Sequence, residues 1–417
     1  MAAASAPRDL GPSTPEEVGL SSEELAKVDA FVQRMIDERR ITGAVTLTAR
    51  HGRVVRTSVM GLDNRRTRKP MRDDTIFRIF SMTKPVTGLA MGILWDRGLW
   101  KPDDPIAKFL PEFANLRVFA GLDAAGAPVL EEPDHPPTMA ELATHTAGFS
   151  YGGQTDSWVD QQYKKAKLLK SSSLDDFVRK LAGIPLNFQP GTQWRYGVSM
   201  DIQGAIIERL SGQSLPEFFR EQIFEPLGMV DTAFFVPPSK LGRRAALYFT
   251  GKRFKLVRMP FNPLYRDGTS DPVMPMGGAG LQSTVRDYAR FAQVLLDRGE
   301  FNGNRIASAE AVAMQMTNQI STELVTPGFT TGHMRFRPGF GYGFNGVVFY
   351  DPVLADLPVG LGTYMWDGAA DTWFWVDPEN DLLYVGMTQL LSYRAPALQE
   401  PTQRLMADAI LDRKGRA

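Results

Sequence analysis

Apolar positions recur with two different periods along the chain, and this difference predicts where helices and strands lie. Near the N-terminus a helical period follows the N-cap residue Ser21 and continues to about Arg39. Two apolar runs of strand length come next, and His51 and Gly52 between them predict a hairpin. The predicted strands of this hairpin are residues 43–50 and 54–60.

The middle of the chain, from about residue 100 to 335, favours helices joined by long loops rich in proline and glycine. The best-defined helix, residues 285–298, begins after a capping-box-like segment at Ser283 and is closed by Gly299. Four more helices are predicted here, at residues 139–144, 173–182, 200–210 and 215–223.

Strand-like runs return beyond residue 340, and a final helix follows them. Because strands lie at both ends of the chain, we predict an α/β (α+β) fold with an antiparallel sheet built from both termini and flanked by helices. Residues 1–80 and 336–417 would form this sheet domain. Residues 81–335 would form a mainly helical inserted domain, with the active site at the junction. The predicted C-terminal elements are strands at residues 343–349, 360–365, 372–376 and 382–388 and a helix at 397–412.

Composition excludes several classes of function. The 47 basic residues equal the 47 acidic ones, so no basic surface for nucleic acid is expected. No apolar run reaches 18 residues, so we expect no helix that spans a membrane. The N-terminus lacks the pattern of a secretory signal, and this favours a location in the cytoplasm. The chain has no cysteine, and none of its four histidines has the spacing of a zinc helix. Neither a metal nor another cofactor is expected.

Ser81 and Lys84 form the strongest candidate for chemistry. They stand three residues apart at the start of an apolar helical segment, which places both side chains on one helix face with Cβ atoms roughly 5–6 Å apart. A serine hydroxyl needs a nearby base to become a nucleophile, and a buried lysine can serve once its amine is neutral. A chain of this length should contain about one such pair by composition alone, so the pattern needs support from elsewhere.

A second serine pattern competes with this pair. The sequence Gly-Phe-Ser-Tyr-Gly around Ser150 matches the nucleophile elbow of α/β-hydrolases, which requires a strand before it and a helix after it. Here residues 139–144 predict a helix instead, and only His333 follows as a possible base. The better interpretation is a tight turn near the site, with Phe149 and Tyr151 lining the site or packing in the core.

Five segments add weight to the serine-lysine pair through their order and spacing. They are residues 77–84 (FRIFSMTK), 142–148 (LATHTAG), 190–196 (PGTQWRY), 224–229 (FEPLGM) and 278–284 (GAGLQST). Together they resemble the serine β-lactamase and penicillin-binding-protein superfamily. Within it, the chain is most similar to the class C-like esterases known as family VIII carboxylesterases.

The resemblance implies a role for each residue that matches a motif. Ser81 would be the nucleophile and Lys84 its proton acceptor. Tyr196 would share a proton with both and later protonate the leaving alcohol, with its phenolate favoured by the neighbouring ammonium. The backbone N–H groups of Ser81 and Ala369 would form the oxyanion hole.

Two motifs depart from the lactamase pattern. Val198 replaces the asparagine that helps to hold the amide of a lactam, and Ser199 beside it would replace part of that function. Trp366, Asp367 and Gly368 align with Lys/His-Thr/Ser-Gly, so the cation that would steady a penicillin carboxylate is absent. Related esterases commonly carry tryptophan-glycine-glycine here, so Asp367 is a further departure, whereas the glycine would let strand and substrate approach closely.

The resemblance therefore implies a cofactor-free serine carboxylesterase that hydrolyses small-molecule esters, with short acyl chains, through an acyl-enzyme. One alternative is a β-lactamase or D-amino-acid peptidase, and another is an acyltransferase with the same nucleophile. A catalytically silent binding protein is a third alternative, and the oligomeric state is left open. The predicted substrate-binding residues are Trp366, Asp367, Gly368, Ser199, Phe149 and Tyr151.

Overall fold

The computed structural model describes residues 8–153, 155, 157–251, 255–259, 271–324, 330–331, 334–392 and 395–412. His333 lies outside these residues. Eighteen strands occur in the described residues, most of them short. They are β1 (Gly43–Arg50), β2 (Arg53–Asn64), β3 (Lys69–Pro70), β4 (Phe77–Arg78), β5 (Val118–Leu122), β6 (Pro128–Glu131), β7 (Tyr248–Thr250), β8 (Leu256–Arg258), β9 (Gln282–Ser283), β10 (Glu300–Phe301), β11 (Asn304–Arg305), β12 (Thr330–Thr331), β13 (Met334–Arg335), β14 (Phe340–Tyr342), β15 (Val347–Phe349), β16 (Tyr364–Gly368), β17 (Thr372–Asp377) and β18 (Leu382–Met387).

An eight-stranded antiparallel sheet joins the two ends of the chain. Its strand order is β14-β15-β16-β17-β18-β1-β2-β3, so the N-terminal hairpin continues the C-terminal meander. The joining pair is β1 with β18, in a register that sets Val45 opposite Met387. His51 and Gly52 both have positive φ in the turn of the hairpin, which is the conformation that a tight two-residue turn requires. The prediction of one sheet built from both termini is confirmed.

Eleven α-helices occur in the described residues, and three of them cover the sheet. The helices are α1 (Ser22–Asp37), α2 (Thr83–Asp96), α3 (Met139–Ala143), α4 (Trp158–Ala166), α5 (Leu174–Ala182), α6 (Ser199–Ser211), α7 (Leu215–Phe219), α8 (Glu225–Leu227), α9 (Val285–Leu296), α10 (Ala309–Met316) and α11 (Gln399–Ala409). Helices α1 and α11 pack against each other, α1 also contacts β1 and β2, and α9 contacts β1, β17 and β18.

Neighbouring residues of β17 show that helices lie on both faces of the sheet. The indole N–H of Trp373 donates to the hydroxyl of Thr402 on α11. The next residue, Phe374, points to the other face and packs edge-on against Tyr288 of α9, with ring centroids 4.9 Å apart. All six residues of β17 are buried, as expected of a strand covered on both sides.

Helix α2 lies at the centre of the molecule between the sheet and the other helices. Residues 83–94 of this helix are all buried, and α6 and α10 pack against it. A helix that is apolar all round needs such neighbours on every side. Pro85 lies in its first turn, where the absent N–H breaks no helical hydrogen bond. The two domain boundaries stay a prediction; α9, which they assign to the helical part, packs on the sheet.

The structure corrects three details of the predicted elements. The strand predicted at residues 343–349 is the hairpin of β14 and β15, because Asn345 adopts a φ of 62° and turns the chain. The hairpin of β5 and β6 was missed because its exposed strands lack a buried apolar face. The helix predicted at residues 215–223 is α7 followed by a π-helical turn. No helix in the described residues is long and apolar enough to cross a membrane.

Candidate active site

Ser81 lies in a single 3₁₀ turn, Phe80–Met82, that leads directly into α2. Phe80 has a φ of 45°, a conformation that typically costs about 1–3 kcal/mol in a residue other than glycine. Two interactions hold this turn. The ring of Phe80 is buried against Leu247 and Ala370. The hydroxyl of Tyr288 on α9 donates a hydrogen bond to the carbonyl of Met82 at 2.8 Å. The turn presents Ser81 at the end of a buried helix while its side chain stays partly accessible.

The structure brings Ser81, Lys84 and Tyr196 together. The hydroxyl of Tyr196 donates a hydrogen bond to Ser81 Oγ at 2.7 Å, and Lys84 Nζ donates to the same oxygen at 3.2 Å. Lys84 Nζ also lies 4.7 Å from the centroid of the Tyr196 ring. Two groups that can exchange protons therefore contact one serine oxygen, which is the geometry that a nucleophile and its base require.

Burial controls the charge of Lys84. Its side chain has no exposed surface, and its ammonium form donates to the carbonyl oxygen of Gly278 at 2.6 Å. Desolvation lowers the pKa of Lys84 to about 7, although the negative charges of Asp201 and Asp367 oppose this shift. A large fraction of the lysine is therefore neutral near pH 7 and able to accept the serine proton.

Tyr196 differs from the expectation that its phenolate would be favoured. Desolvation raises the pKa of its phenol, and the charges of Asp367 and Asp201 raise it further. The hydrogen bond with Ser81 and the nearby indole N–H of Trp366 lower this pKa, but the effects that raise it are larger. The resting Tyr196 is therefore a neutral phenol that donates a proton, and Lys84 is the group that can start as a base.

Asp201 is a site residue that the sequence analysis missed. It is 1% exposed on α6, where its Oδ1 accepts the backbone N–H of Gly278 at 2.9 Å. The carbonyl of the same glycine accepts a hydrogen bond from Lys84 Nζ. Burial raises the pKa of Asp201 to about 6, and the charge of Lys84 opposes this shift. The sequence did contain a signal for this residue: an aspartate stands among the apolar residues of a helix. Because unpaired carboxylates are rarely buried, such an aspartate indicates a functional or paired group.

Aromatic rings surround Tyr196. Trp366 is fully buried, and its ring centroid lies 5.6 Å from that of Tyr196. Tyr151 contacts Tyr196 edge-on at 5.2 Å, and His145 does so at 5.0 Å. Burial keeps the pKa of His145 well below its ordinary value, so this imidazole is neutral. The phenol of Tyr196 is thus held by rings on several sides, in surroundings that favour uncharged groups.

Strand β16 passes close to the serine turn. A Cβ atom on Gly368 would overlap the carbonyl oxygen of Ile79 and the hydroxyl of Thr372, so only glycine fits this approach. The Thr372 hydroxyl also donates to the Ile79 carbonyl at 3.2 Å. Ala369 follows directly, just beyond the end of β16, and is exposed. This placement fits the expected close approach at Gly368.

Ser150 is a structural residue rather than a nucleophile elbow. It has no exposed surface, and its hydroxyl donates to Oδ1 of Asp160 at 3.0 Å. Helix α3 precedes it where an elbow needs a strand. Gly148 and Gly152 have positive φ on either side, which confirms the predicted tight turn. The turn carries Tyr151 toward the site, where its ring centroid lies 5.5 Å from Lys84 Nζ.

The other predicted substrate-binding residues occupy different positions. The ring of Phe149 is 2% exposed and packs against Phe113, so it belongs to the core. Ser199 is the first residue of α6 and is also buried. Asp367 is partly buried on β16, near enough to Lys84 and Tyr196 to influence the pKa of both. Of the six predicted residues, Trp366, Asp367, Gly368 and Tyr151 are thus grouped near Ser81, whereas Phe149 and Ser199 are buried.

Comparison with known proteins agrees with this geometry. The beta-lactamase family model matches residues 28–408, which is most of the chain. The chain belongs to the beta-lactamase family. Esterase EstB of Burkholderia gladioli is 31% identical over 374 residues, which cover 84% of this chain and 86% of that protein.

Two solved structures share the fold. EstCE1, a hydrolase with promiscuous acyltransferase activity, superposes with a TM-score of 0.75 at 27% identity, covering 93% of this chain and 99% of its own. Simvastatin synthase (LovD) from Aspergillus terreus gives a TM-score of 0.79 at 22% identity, covering 95% of this chain and 100% of its own. The second likeness supports the fold alone, and with the family match it agrees with the predicted fold class.

Proposed function

We propose that this protein is a serine carboxylesterase that hydrolyses small-molecule esters through an acyl-enzyme. The observation that carries the proposal is the contact of Ser81 Oγ with both Lys84 Nζ and the Tyr196 hydroxyl. The similarity to Esterase EstB supports an ester as the substrate class. The missing asparagine and cation at Val198 and Trp366 weigh against a β-lactam as the main substrate.

Acylation begins with neutral Lys84. The amine accepts the hydroxyl proton of Ser81 as the serine oxygen attacks the ester carbonyl, and the oxyanion that forms is held by the N–H groups of Ser81 and Ala369. Tyr196 then donates its phenolic proton to the leaving alcohol and recovers one from the Lys84 ammonium. The raised pKa of Tyr196 suits this step, since the phenol remains protonated until the leaving oxygen needs a proton.

Deacylation repeats the same transfers with water as the nucleophile. Water takes the place of the departed alcohol, gives its proton to the Lys84 and Tyr196 pair, and attacks the acyl carbonyl. Collapse of the second tetrahedral intermediate returns the proton to Ser81 and releases the acid. We propose short acyl chains as substrates, because the rings of Tyr151, Tyr196 and Trp366 crowd the space around the serine. The cytoplasmic location stays a prediction.

Covalent labelling tests the nucleophile. We expect intact-mass analysis of the wild type to show one adduct after treatment with a p-nitrophenyl organophosphonate, and S81A to show none. S150A serves as the matched control, because it removes the other candidate hydroxyl, and it should still be labelled. An adduct on Ser150, or no adduct on the folded wild type, would contradict the proposal.

Substrate comparison separates the candidate functions. We expect p-nitrophenyl butyrate to be hydrolysed with a much higher kcat/KM than nitrocefin, and the reverse order would make the protein a lactamase. Acyl transfer is the second candidate, because EstCE1 combines hydrolysis with promiscuous acyltransferase activity. Adding a primary alcohol at fixed ester concentration and measuring new ester against free acid by chromatography decides between water and alcohol as the main acceptor.

A further inference from the structure

Asp367 lies on the strand that passes close to the serine turn. It lies on β16 between Trp366, which is fully buried, and Gly368, which touches the serine turn. Asp367 as a whole is only partly buried, so part of this residue can be reached from solvent. The charge of Asp367 attracts the Lys84 ammonium and disfavours a Tyr196 phenolate. The carboxyl therefore influences the charge of both side chains that contact Ser81 Oγ.

No basic side chain of the described residues forms an ion pair or hydrogen bond with the Asp367 carboxyl, although Lys84 lies near it. Two further acidic residues belong to the same surroundings: the charge of Asp201 acts on Lys84, and the charge of Asp367 helps to raise the pKa of Asp371. Desolvation raises the pKa of Asp367 to about 7, and the charge of Lys84 and a backbone hydrogen bond, which favour the ionised form, are outweighed. A positive group brought by a ligand would supply the missing counter-charge.

We propose that Asp367 is a specificity-determining residue that favours esters carrying a positive charge over neutral esters of the same shape. The inference rests on the proposed esterase function and adds a substrate class to it. A quaternary ammonium or a protonated amine would lie beside the carboxylate, and the same carboxylate would repel an anionic substrate. The nearby rings of Tyr196 and Tyr151 would favour such a cation as well.

Pairs of esters that have the same shape but differ in charge measure this preference, because the two members of a pair are hydrolysed by the same mechanism. On the alcohol side the pair is butyrylcholine and 3,3-dimethylbutyl butyrate, in which carbon replaces the charged nitrogen. On the acyl side the pair is the p-nitrophenyl esters of 4-(trimethylammonio)butyrate and 5,5-dimethylhexanoate. The readout is the ratio of kcat/KM for the charged member to that for the neutral member. Both members use Ser81, Lys84 and Tyr196, so changes in the common mechanism cancel in the ratio.

We expect the wild type to favour the charged member of at least one pair by about tenfold at pH 8.5, where Asp367 is ionised. D367N keeps the shape of the side chain and should bring the ratio to about one, whereas D367E keeps the charge and should retain a preference. The ratio should also fall at about pH 6, because Asp367 becomes protonated below its pKa of about 7. Lys84 and Asp201 also change charge over this pH range, whereas Tyr196 stays a neutral phenol, so D367N measured over the same range is the necessary control.

The outcomes separate this inference from the esterase proposal. If neutral esters are hydrolysed but neither pair shows a charge preference in the wild type, the inference is wrong and the esterase proposal stands. A preference that persists unchanged in D367N would also overturn it. If no ester is hydrolysed and the phosphonate does not label Ser81, the esterase proposal itself fails. Normalising every rate to the fraction of phosphonate-reactive enzyme removes differences in folding between variants.

Discussion

A lysine acts as a base only where its surroundings make the ammonium unfavourable, and Lys84 meets this condition through burial. The negative charge of Asp201 limits this effect. Asp201 accepts a hydrogen bond from the backbone N–H of Gly278, and Lys84 donates one to the carbonyl of the same residue. Desolvation lowers the pKa of Lys84 and the aspartate raises it again. In the proposed mechanism, the balance between these two effects determines the pH at which Lys84 can accept the proton of Ser81.

We predict that kcat/KM for a neutral ester rises with pH through a limb near 7, as Lys84 loses its proton. In D201N the limb should move to lower pH, because removing the negative charge destabilises the ammonium. The asparagine oxygen can still accept the N–H of Gly278, so the backbone contact is kept. The measurement is the pH profile of kcat/KM from about pH 5 to 9. A limb that stays in place, or that moves to higher pH, would show that Asp201 does not act through the charge of Lys84.

At this scale the contact between Ser81 and Lys84 could be predicted, because the two residues are close in sequence and the start of a helix places them on one face. Asp201 could not be found in the same way. Its link to Lys84 runs through Gly278, which is 194 residues from the lysine in sequence, and only the folded chain brings them together. The charge state of Tyr196 was also misjudged, since the number of buried neighbours around a phenol cannot be read from a motif.

At the scale of elements, the site depends on how closely β16 approaches the serine turn. Gly368 permits this approach, because any side chain at that position would overlap the carbonyl of Ile79 and the hydroxyl of Thr372. The backbone N–H of Ala369 belongs to the same stretch and is the second proposed oxyanion donor. A small displacement of the strand would therefore act on the transition state more than on substrate binding.

We predict that G368A lowers kcat by about 10²–10³ while KM changes much less, because the strand moves away and one oxyanion donor is displaced. The measurement is steady-state hydrolysis of p-nitrophenyl butyrate together with the Tm of the variant. G242A is the matched control, since a Cβ on Gly242 meets no atom within 4 Å and should leave kcat unchanged. Equal losses of kcat in G368A and G242A would contradict the proposed oxyanion donor at Ala369. A loss in G368A that is explained by unfolding at the assay temperature would contradict it as well.

Strands in the sheet could be predicted where their residues are buried on both faces, as in β18, because such a strand appears as a continuous apolar run. The hairpin of β14 and β15 was read as one strand instead. Its turn depends on Asn345, whose amide donates to the carbonyl of Lys84 and to Gln203 on α6. The position of that turn is thus fixed by contacts with distant helices, and local sequence does not contain them.

At the scale of the whole molecule, one buried arginine connects both ends of the chain to the sheet. Arg50, the last residue of β1, is 4% exposed. Its guanidinium donates to the carbonyls of Val18 and Gly19 at 2.8 Å and of Asn380 at 3.0 Å. It also forms an ion pair with Asp412 at 2.7 Å, just beyond α11. Four segments that are far apart in sequence therefore meet at a single side chain.

Replacing Arg50 should reduce the stability of the protein more than replacing its ion-pair partner Asp412. R50M fills much of the same volume but leaves three carbonyls without their donor, so we predict that the free energy of unfolding falls by about 3 kcal/mol. D412N should cost less than about 1 kcal/mol, because the carboxyl of Asp412 is 61% exposed and its pair is screened by water. Urea unfolding followed by tryptophan fluorescence gives both values. If both variants lose a similar free energy of unfolding, the ion pair with Asp412 accounts for most of the contribution of Arg50. If R50M loses much more, the hydrogen bonds from Arg50 to the backbone carbonyls hold the two terminal segments on the sheet.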